Sequence, residues 1–408
     1  MNNTIVGLDI GTTKVTAVVG EILDDEEINI IGVGTTPSYG LRHGVVTSIE
    51  DATQCIQKAL DEAQRMADMA VDYVYIGVSG EHIHSRNNTA LIEVGAGGNA
   101  VTRSDVERLL EIAKAVPVEP GFEIVHSMVR EYRLDGQGNI LDPVGMMGTK
   151  LEVSVHLVFG STNAIRNLAT CANNVNLDVA EVILQPLASA EAVLTADEKN
   201  LGVVLIDIGG GTTDVAVFRD GKLEHTHIVP VGGWNFSHDL AVILKISDQE
   251  AERMKLRYGC VNPKLVEKGL TVECVMVGSE ERRIIPADHI AEIMAYRAQE
   301  LVELALKNVV QNVGDLKQFG AGIVITGGGS QVRGLEQMFR EESQVPVRVG
   351  RTRNVTGLVE KVSNPIYATA VGLILFGYRH HEQAGGPKGN ESLFDRAIAW
   401  IKGWFVGA

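Results

Sequence analysis

The sequence predicts an α/β protein built of two similar halves that face each other, and three observations carry that reading. Two strand–turn–strand segments share one design: "IVGLDIGTTKVTAVVGEI" (5–22) and "VVLIDIGGGTTDVAVFRDGKL" (203–223), about half a chain apart. A third segment, "GIVITGGGSQVRGLEQMF" (322–339), passes from a strand through three glycines into an amphipathic helix. The composition, 45% hydrophobic with only 5% aromatic, suits aliphatic cores, and 408 residues suffice for two domains.

Charge and cysteine usage remove several functional classes. A net charge of −16 leaves no broad basic face for nucleic acid. Cys55, Cys171, Cys260 and Cys274 form no CxxC pair, so neither zinc nor a disulfide framework is expected, and reduced thiols fit a cytosolic chain. The start "MNNTIVGLDIG" lacks a signal peptide's pattern, and no apolar run reaches the roughly 18 residues of a membrane span.

The two hairpins pose the chemical question. In "LIDIGGGTTDVAVFRDG" (205–221), Gly209, Gly210 and Gly211 weaken what should be a strong strand. Bare backbone lets successive N–H groups close around an anion, and phosphate is the anion that explains it. Gly11, Thr12, Thr13 and Lys14 in the first turn, with Thr212 and Thr213 in the second, add hydroxyls and a point charge. Asp9 and Asp207, just before the turns, are carboxylates that suit Mg²⁺ held through water. Gly327, Gly328, Gly329 and Ser330 offer backbone approach to a base or ribose. The GxxxxGK[ST] and GxGxxG phosphate motifs are absent. Two stretches of small residues, "QPLASAEAVL" (185–194) and "PIYATAVGLILFG" (365–377), predict closely packed helices where the halves join.

In these motifs the chain resembles the actin/sugar-kinase/DnaK-type ATPase superfamily along nearly its whole length. That resemblance implies an actin-like two-domain ATPase fold hinged around ATP and Mg²⁺. It also implies that Gln185, at the start of the first hinge helix, orients the attacking water, although a buried or capping amide is the plainer role. "EAERMKLRYG" (250–259) resembles the segment that holds adenosine, through Glu252 and Lys255; an ordinary i, i+3 surface ion pair is the alternative.

Residues 84–162 discriminate within the superfamily. "EYRLDGQGNILDPVGMMGTKLEVSVHLV" (131–158), preceded by the helix "SDVERLLEIAKAV" (104–116), looks like the inserted α+β subdomain peculiar to the FtsA family of bacterial division proteins. The resemblance implies residues 1–83, 163–200 and 363–378 as a first domain core. It implies 201–229 with 306–362 as the second core, and 230–305 as its helical subdomain. It further implies polymerisation, a weak ATPase at most, and the C-terminal peptide of FtsZ as a partner of 230–305. Arg297 is a candidate there for an acidic group. Later division proteins such as FtsN would meet the insertion. In "PVGGWNFSHDLAVIL" (230–244), Trp234, Ser237 and His238 depart from the family pattern, and their contacts are open.

The tail changes character. "RHHEQAGGPKGN" (379–390) reads as a flexible linker, and "ESLFDRAIAWIKGWFVGA" (391–408) as a C-terminal amphipathic helix. Leu393, Phe394, Ile398, Ile401, Trp404 and Phe405 recur on one side, and the length suits lying in a lipid interface rather than spanning it. From 379 onward four Lys/Arg oppose three Asp/Glu, so apolar insertion must carry any lipid binding. One such anchor is weak, on the order of 10⁴ M⁻¹; joined in a filament, anchors gain avidity of about 10²–10⁴. The expectation is a peripheral protein on the cytoplasmic face of the inner membrane at the division site. A small-molecule kinase would need a further acidic base, and a pilus-assembly scaffold of the same fold should lack both the insertion and the tail.

Overall fold

The computed structural model describes residues 4–23, 27–94, 100–278 and 282–384. The expected helix 391–408, with its six lipid-facing candidates, lies outside the described residues.

The first domain is built on a six-stranded sheet whose strand order is 178–184, 73–78, 4–10, 14–22, 28–37 and 356–357. Its hairpin Thr4–Ile10/Lys14–Ile22 pairs antiparallel with Asp9 opposite Thr16. These strands are apolar on both faces because helices cover both, so Ile5, Leu8, Val15, Val18 and Val19 are all buried. Ser48 starts the covering helix Ile49–Ala67 by accepting the Asp51 N–H, and Asp68 ends it in the left-handed region at φ 52°.

The second domain repeats the plan with five strands in the order 222–229, 213–219, 203–208, 323–326 and 347–349. In its hairpin Asp207 stands opposite Asp214, the register equivalent of Asp9 opposite Thr16. Helices Gly233–Leu244, Asp248–Tyr258 and Ala287–Asn312 and a small hairpin, 271–275 with 282–286, complete it. One face of this sheet packs a core around Val204, Ile206, Phe236 and Leu301, while Val203, Leu205, Ala216 and Phe218 join the core of the first domain.

Residues 84–161 form a four-stranded antiparallel sheet with the helix Arg103–Lys114 across it. This insertion meets the edge strand 222–229 of the second domain. The Ser85 hydroxyl donates to the Thr226 carbonyl at 2.9 Å, and His156 sits between Asn87 and the Thr226 hydroxyl at 2.7 and 2.9 Å. Burial pushes His156 down to about 3, so this contact holds a neutral imidazole.

The small-residue stretches meet as expected. Helices Gln185–Val193 and Ala368–Ala384 cross so closely that a Cβ on Gly372 would fall on the Ala188 carbonyl.

Three boundaries differ from the sequence reading. Strand Thr356–Gly357 pairs with Asn29 and Ile30, so this end of 306–362 belongs to the first sheet. The last described helix runs to Ala384, into the stretch expected as linker, because nothing in "RHHEQA" forbids helical dihedrals; the glycines follow it. The triple glycine at 327–329 leads into a 3₁₀ turn, Gly328–Gln331, and the amphipathic helix begins only at Leu335.

Candidate functional site

The two hairpin turns face each other across a cavity of about 490 Å³ between the domains. They nearly touch: a Cβ on Gly210 would strike the Thr13 side chain, and one on Gly211 the Thr12 side chain. Glycine is required there by close approach rather than by dihedral angle.

The structure brings Asp9, Gly11, Thr12, Thr13, Lys14, Gln185, Asp207, Gly209, Gly210, Gly211, Thr212, Glu252, Lys255, Gly327, Gly328 and Gly329 to the cavity wall. Their roles are not equal. The amides of Gly11 and Gly209 close their own turns onto the Lys14 and Thr212 carbonyls, each at 2.9 Å. The amides of Thr12, Thr13, Gly210, Gly211 and Thr212 have no acceptor among the described residues. Those five N–H groups are the available anion donors.

Two expected residues are turned away. The Thr213 hydroxyl donates to the Val231 carbonyl at 2.7 Å, and the Ser330 hydroxyl to the Gly327 carbonyl at 2.7 Å; both residues are buried outside the cavity wall. Strand alternation explains the first, since Thr212 and Asp214 share one face and Thr213 takes the other. A third correction concerns Arg297. Its guanidinium forks onto Asp239 at 2.6 and 2.8 Å and also meets Glu300, so this cation is already paired within the chain.

Asp9 and Asp207 stand on either side of the cavity. Lys14 Nζ lies 3.2 Å from Asp9, and Gln185 Nε2 donates to Asp9 at 3.3 Å. Gln185 is therefore neither a cap nor an idle buried amide: Leu184 is the N-cap of its helix, and the amide is held at the cavity by a carboxylate. Ser189 and Thr369, from the two hinge helices, donate to Asp207. Burial, opposed by the Ser189 bond and reinforced by Asp9, pushes Asp207 up to about 6.

Sequence reasoning found no third carboxylate, and the structure corrects it with Asp214. Asp214 is buried, accepts from Ser79, and is pushed up to about 8, by burial first and then by Asp207 and Asp9 against the Ser79 bond. The signal was present in the sequence. Counting outward from the second turn pairs Asp207 with Asp214 on one face of the hairpin. Ser79, by contrast, carries no local signal.

At the far end, Lys255 bonds Glu252 at 2.7 Å and the Gly233 carbonyl at 2.8 Å, so the i, i+3 ion pair and the cavity wall are one structure. The Ser237 hydroxyl donates to Glu252, and Trp234 stacks on His238 with ring centroids 4.6 Å apart.

Among the described residues, the ionisable groups of the wall are Asp9, Asp207, Asp214 and Glu252 against Lys14 and Lys255, with Asp214 pushed up to about 8. Such a wall repels a bare polyphosphate and fits one that arrives with a divalent cation. Oxygen donors with room for water suit Mg²⁺. Among the described residues no group of three or more His, Cys, Asp or Glu is placed to hold a metal directly.

Comparison with known proteins fixes the lineage. Cell division protein FtsA of Pseudomonas aeruginosa is 41% identical over 98% of this chain and 98% of its own length. The chain belongs to the FtsA family. Cell division protein FtsA of Escherichia coli K12 is 38% identical over 98% of this chain and 95% of its own. The family model for cell division protein FtsA matches residues 204–372, and that for the SHS2 domain inserted in FtsA matches 80–159, the insertion described above. Among solved structures, the PilM–PilN type IV pilus biogenesis complex is similar with TM-score 0.64 at 18% identity, over 92% of this chain and 98% of that one. MreB5 of Spiroplasma citri bound to ADP is similar with TM-score 0.54 at 16% identity, over 92% and 96%. At such identities these two share the fold alone, which is actin-like. No described helix of this FtsA-family chain is long and apolar enough to cross a membrane.

Proposed function

We propose that the chain is an actin-like ATP-binding protein that polymerises on the cytoplasmic membrane, holds the FtsZ ring to it and recruits later division proteins such as FtsN. The observation that carries this reading is end-to-end similarity to cell division proteins, with the nucleotide-type cavity intact between the domains. In this reading the amides of Gly210 and Gly211 and of Thr12 and Thr13 receive phosphates, Glu252 and Lys255 the ribose end, and Gln185 a water. Asp9 and Asp207 hold Mg²⁺ through water, and the cation offsets charge on the phosphates. Asp214, on the face it shares with Asp207, is pushed up to about 8 and is the carboxyl whose proton exchanges nearest neutral pH. The C-terminal helix supplies the lipid contact.

The test is vesicle co-sedimentation with Mg-ATP, comparing the full chain with one ending at Gly389, and imaging of the pellets. The full chain should pellet with filaments on the lipid, and the shortened chain should stay in solution. Equal behaviour of both would return the tail to the role of a docked or protein-binding helix.

Nucleotide binding has its own readout. At 100 times its Kd, Mg-ATP should stabilise the fold by about 2.7 kcal/mol. EDTA should shrink that gain, because the carboxylates of Asp9, Asp207 and Glu252 then face the phosphates with two ammonium groups. A gain equally large in EDTA would remove the cation from the site.

Thr212 and Thr213 separate binding from folding. Thr213→Val removes a buried bond to the Val231 carbonyl, and should cost about 1–2 kcal/mol with Mg-ATP affinity unchanged. Thr212→Val should do the reverse, lowering affinity several-fold with little change in melting. Calorimetric titration and thermal melts of both variants decide it.

A further inference from the structure

The turn of the second hairpin is held from its carbonyl side, and that decides where its amides point. A trans peptide unit directs its C=O and the following N–H in opposite directions. The Gly209 carbonyl accepts from the Gly233 N–H at 2.9 Å, and the Gly210 carbonyl from the Trp234 N–H at 2.7 Å. Both donors open the helix Gly233–Leu244 of the same domain, so the amides of Gly210 and Gly211 are set by rigid local structure.

The third carbonyl is held differently. Gly211 meets His43 Nδ1 at 3.2 Å, and His43 lies on a loop of the opposite domain. A carbonyl only accepts, so Nδ1 carries the proton in this contact. Glu81 stands 3.8 Å from the same nitrogen, farther than the carbonyl. The neighbouring Gly44 N–H donates to the Thr12 hydroxyl at 3.3 Å, so the loop touches both phosphate turns.

Trp234 explains how the ring is kept in place. His43 packs edge-on to the indole with centroids 6.1 Å apart, and the Arg42 guanidinium lies over the same indole at 5.9 Å. Trp234 is also stacked on His238. Trp234 therefore takes His43 and Arg42 from across the cleft while His238, on its own helix, supports the indole.

We propose that His43, held by Trp234 and Arg42, is a positioning residue for phosphate: by binding the Gly211 carbonyl across the cleft it turns the Thr212 amide toward the ligand only when the domains are closed. The inference rests on the nucleotide reading above and deepens it. It makes the last donor of the phosphate site conditional on closure, so phosphate binding and domain closure favour each other. The adenosine end has no such dependence.

The experiment uses the full chain with Trp400→Phe and Trp404→Phe, which leaves Trp234 as the single tryptophan of three. His43→Phe keeps a ring beside the indole and removes the donor; His43→Asn keeps a donor at the δ position. Binding of Mg-ATP and of adenosine is measured by equilibrium dialysis, with Trp234 emission recorded alongside. His43→Phe should weaken Mg-ATP about tenfold, leave adenosine unchanged and abolish the Mg-ATP-dependent change in emission. His43→Asn should recover most of both. Undiminished Mg-ATP affinity in the Phe variant, or an equal loss for adenosine, would overturn the proposal. Failure of the parent to bind either ligand would overturn the nucleotide reading first, and this inference with it.

Discussion

Asp214→Asn is expected to make the ligand-free protein more stable, by an amount that grows with pH. In the folded chain the carboxyl titrates near 8; in the unfolded chain it titrates near 3.8. Between those values the folded state binds the extra proton, so stability falls as pH rises from about 4 and levels off above about 8. Asparagine cannot ionise and removes that slope. The variant should melt close to the parent near pH 4 and roughly 5 °C higher at pH 8. Thermal melts at pH 4, 6 and 8 read the difference directly. A constant difference, or a loss at pH 8, would mean that the Ser79 bond keeps Asp214 charged in the fold. A gain would mark Asp214 as a carboxylate retained at the expense of stability, which is the usual signature of a group kept for chemistry.

Gly372→Val should give the opposite result, a severe loss of both stability and ligand binding. The added Cβ meets the Ala188 carbonyl, which is helix backbone and cannot rotate aside. The helices Gln185–Val193 and Ala368–Ala384 must then separate, and overpacking of this kind costs about 1–3 kcal/mol or more. Ser189 and Thr369, which hold Asp207, ride on those same two helices. The damage therefore reaches the site, and Mg-ATP should no longer raise the melting temperature. A variant that melts several degrees lower yet keeps its full response to Mg-ATP would show that the hinge can widen without moving Asp207.

Much of this architecture was legible because it is local. Both hairpins announce themselves by apolar runs around small-residue turns, and their common spacing places Asp9 and Asp207 at equivalent registers. The same counting would have exposed Asp214 and turned Thr213 inward, so those two misses were errors of parity rather than of information. Ser330 was a different miss. Its hydroxyl folds back on the Gly327 carbonyl within a 3₁₀ turn, where a continuous helix had been expected. Arg297 lies on a helix with an exposed face, where Glu300 of the same helix and Asp239 of a neighbouring one pair its guanidinium.

The sequence by itself determined the α/β class, the paired glycine–threonine turns and the close packing of the two small-residue helices. Each depends on spacing within one segment, where backbone geometry leaves few alternatives. Only the tertiary structure decided that Thr13 faces Gly210, that Ser79 holds Asp214, and that His43 and Arg42 close on Gly211 and Trp234. Those contacts join segments well over a hundred residues apart. Local periodicity carries no term for such distances, and the side chains meet because the two domains pack against each other.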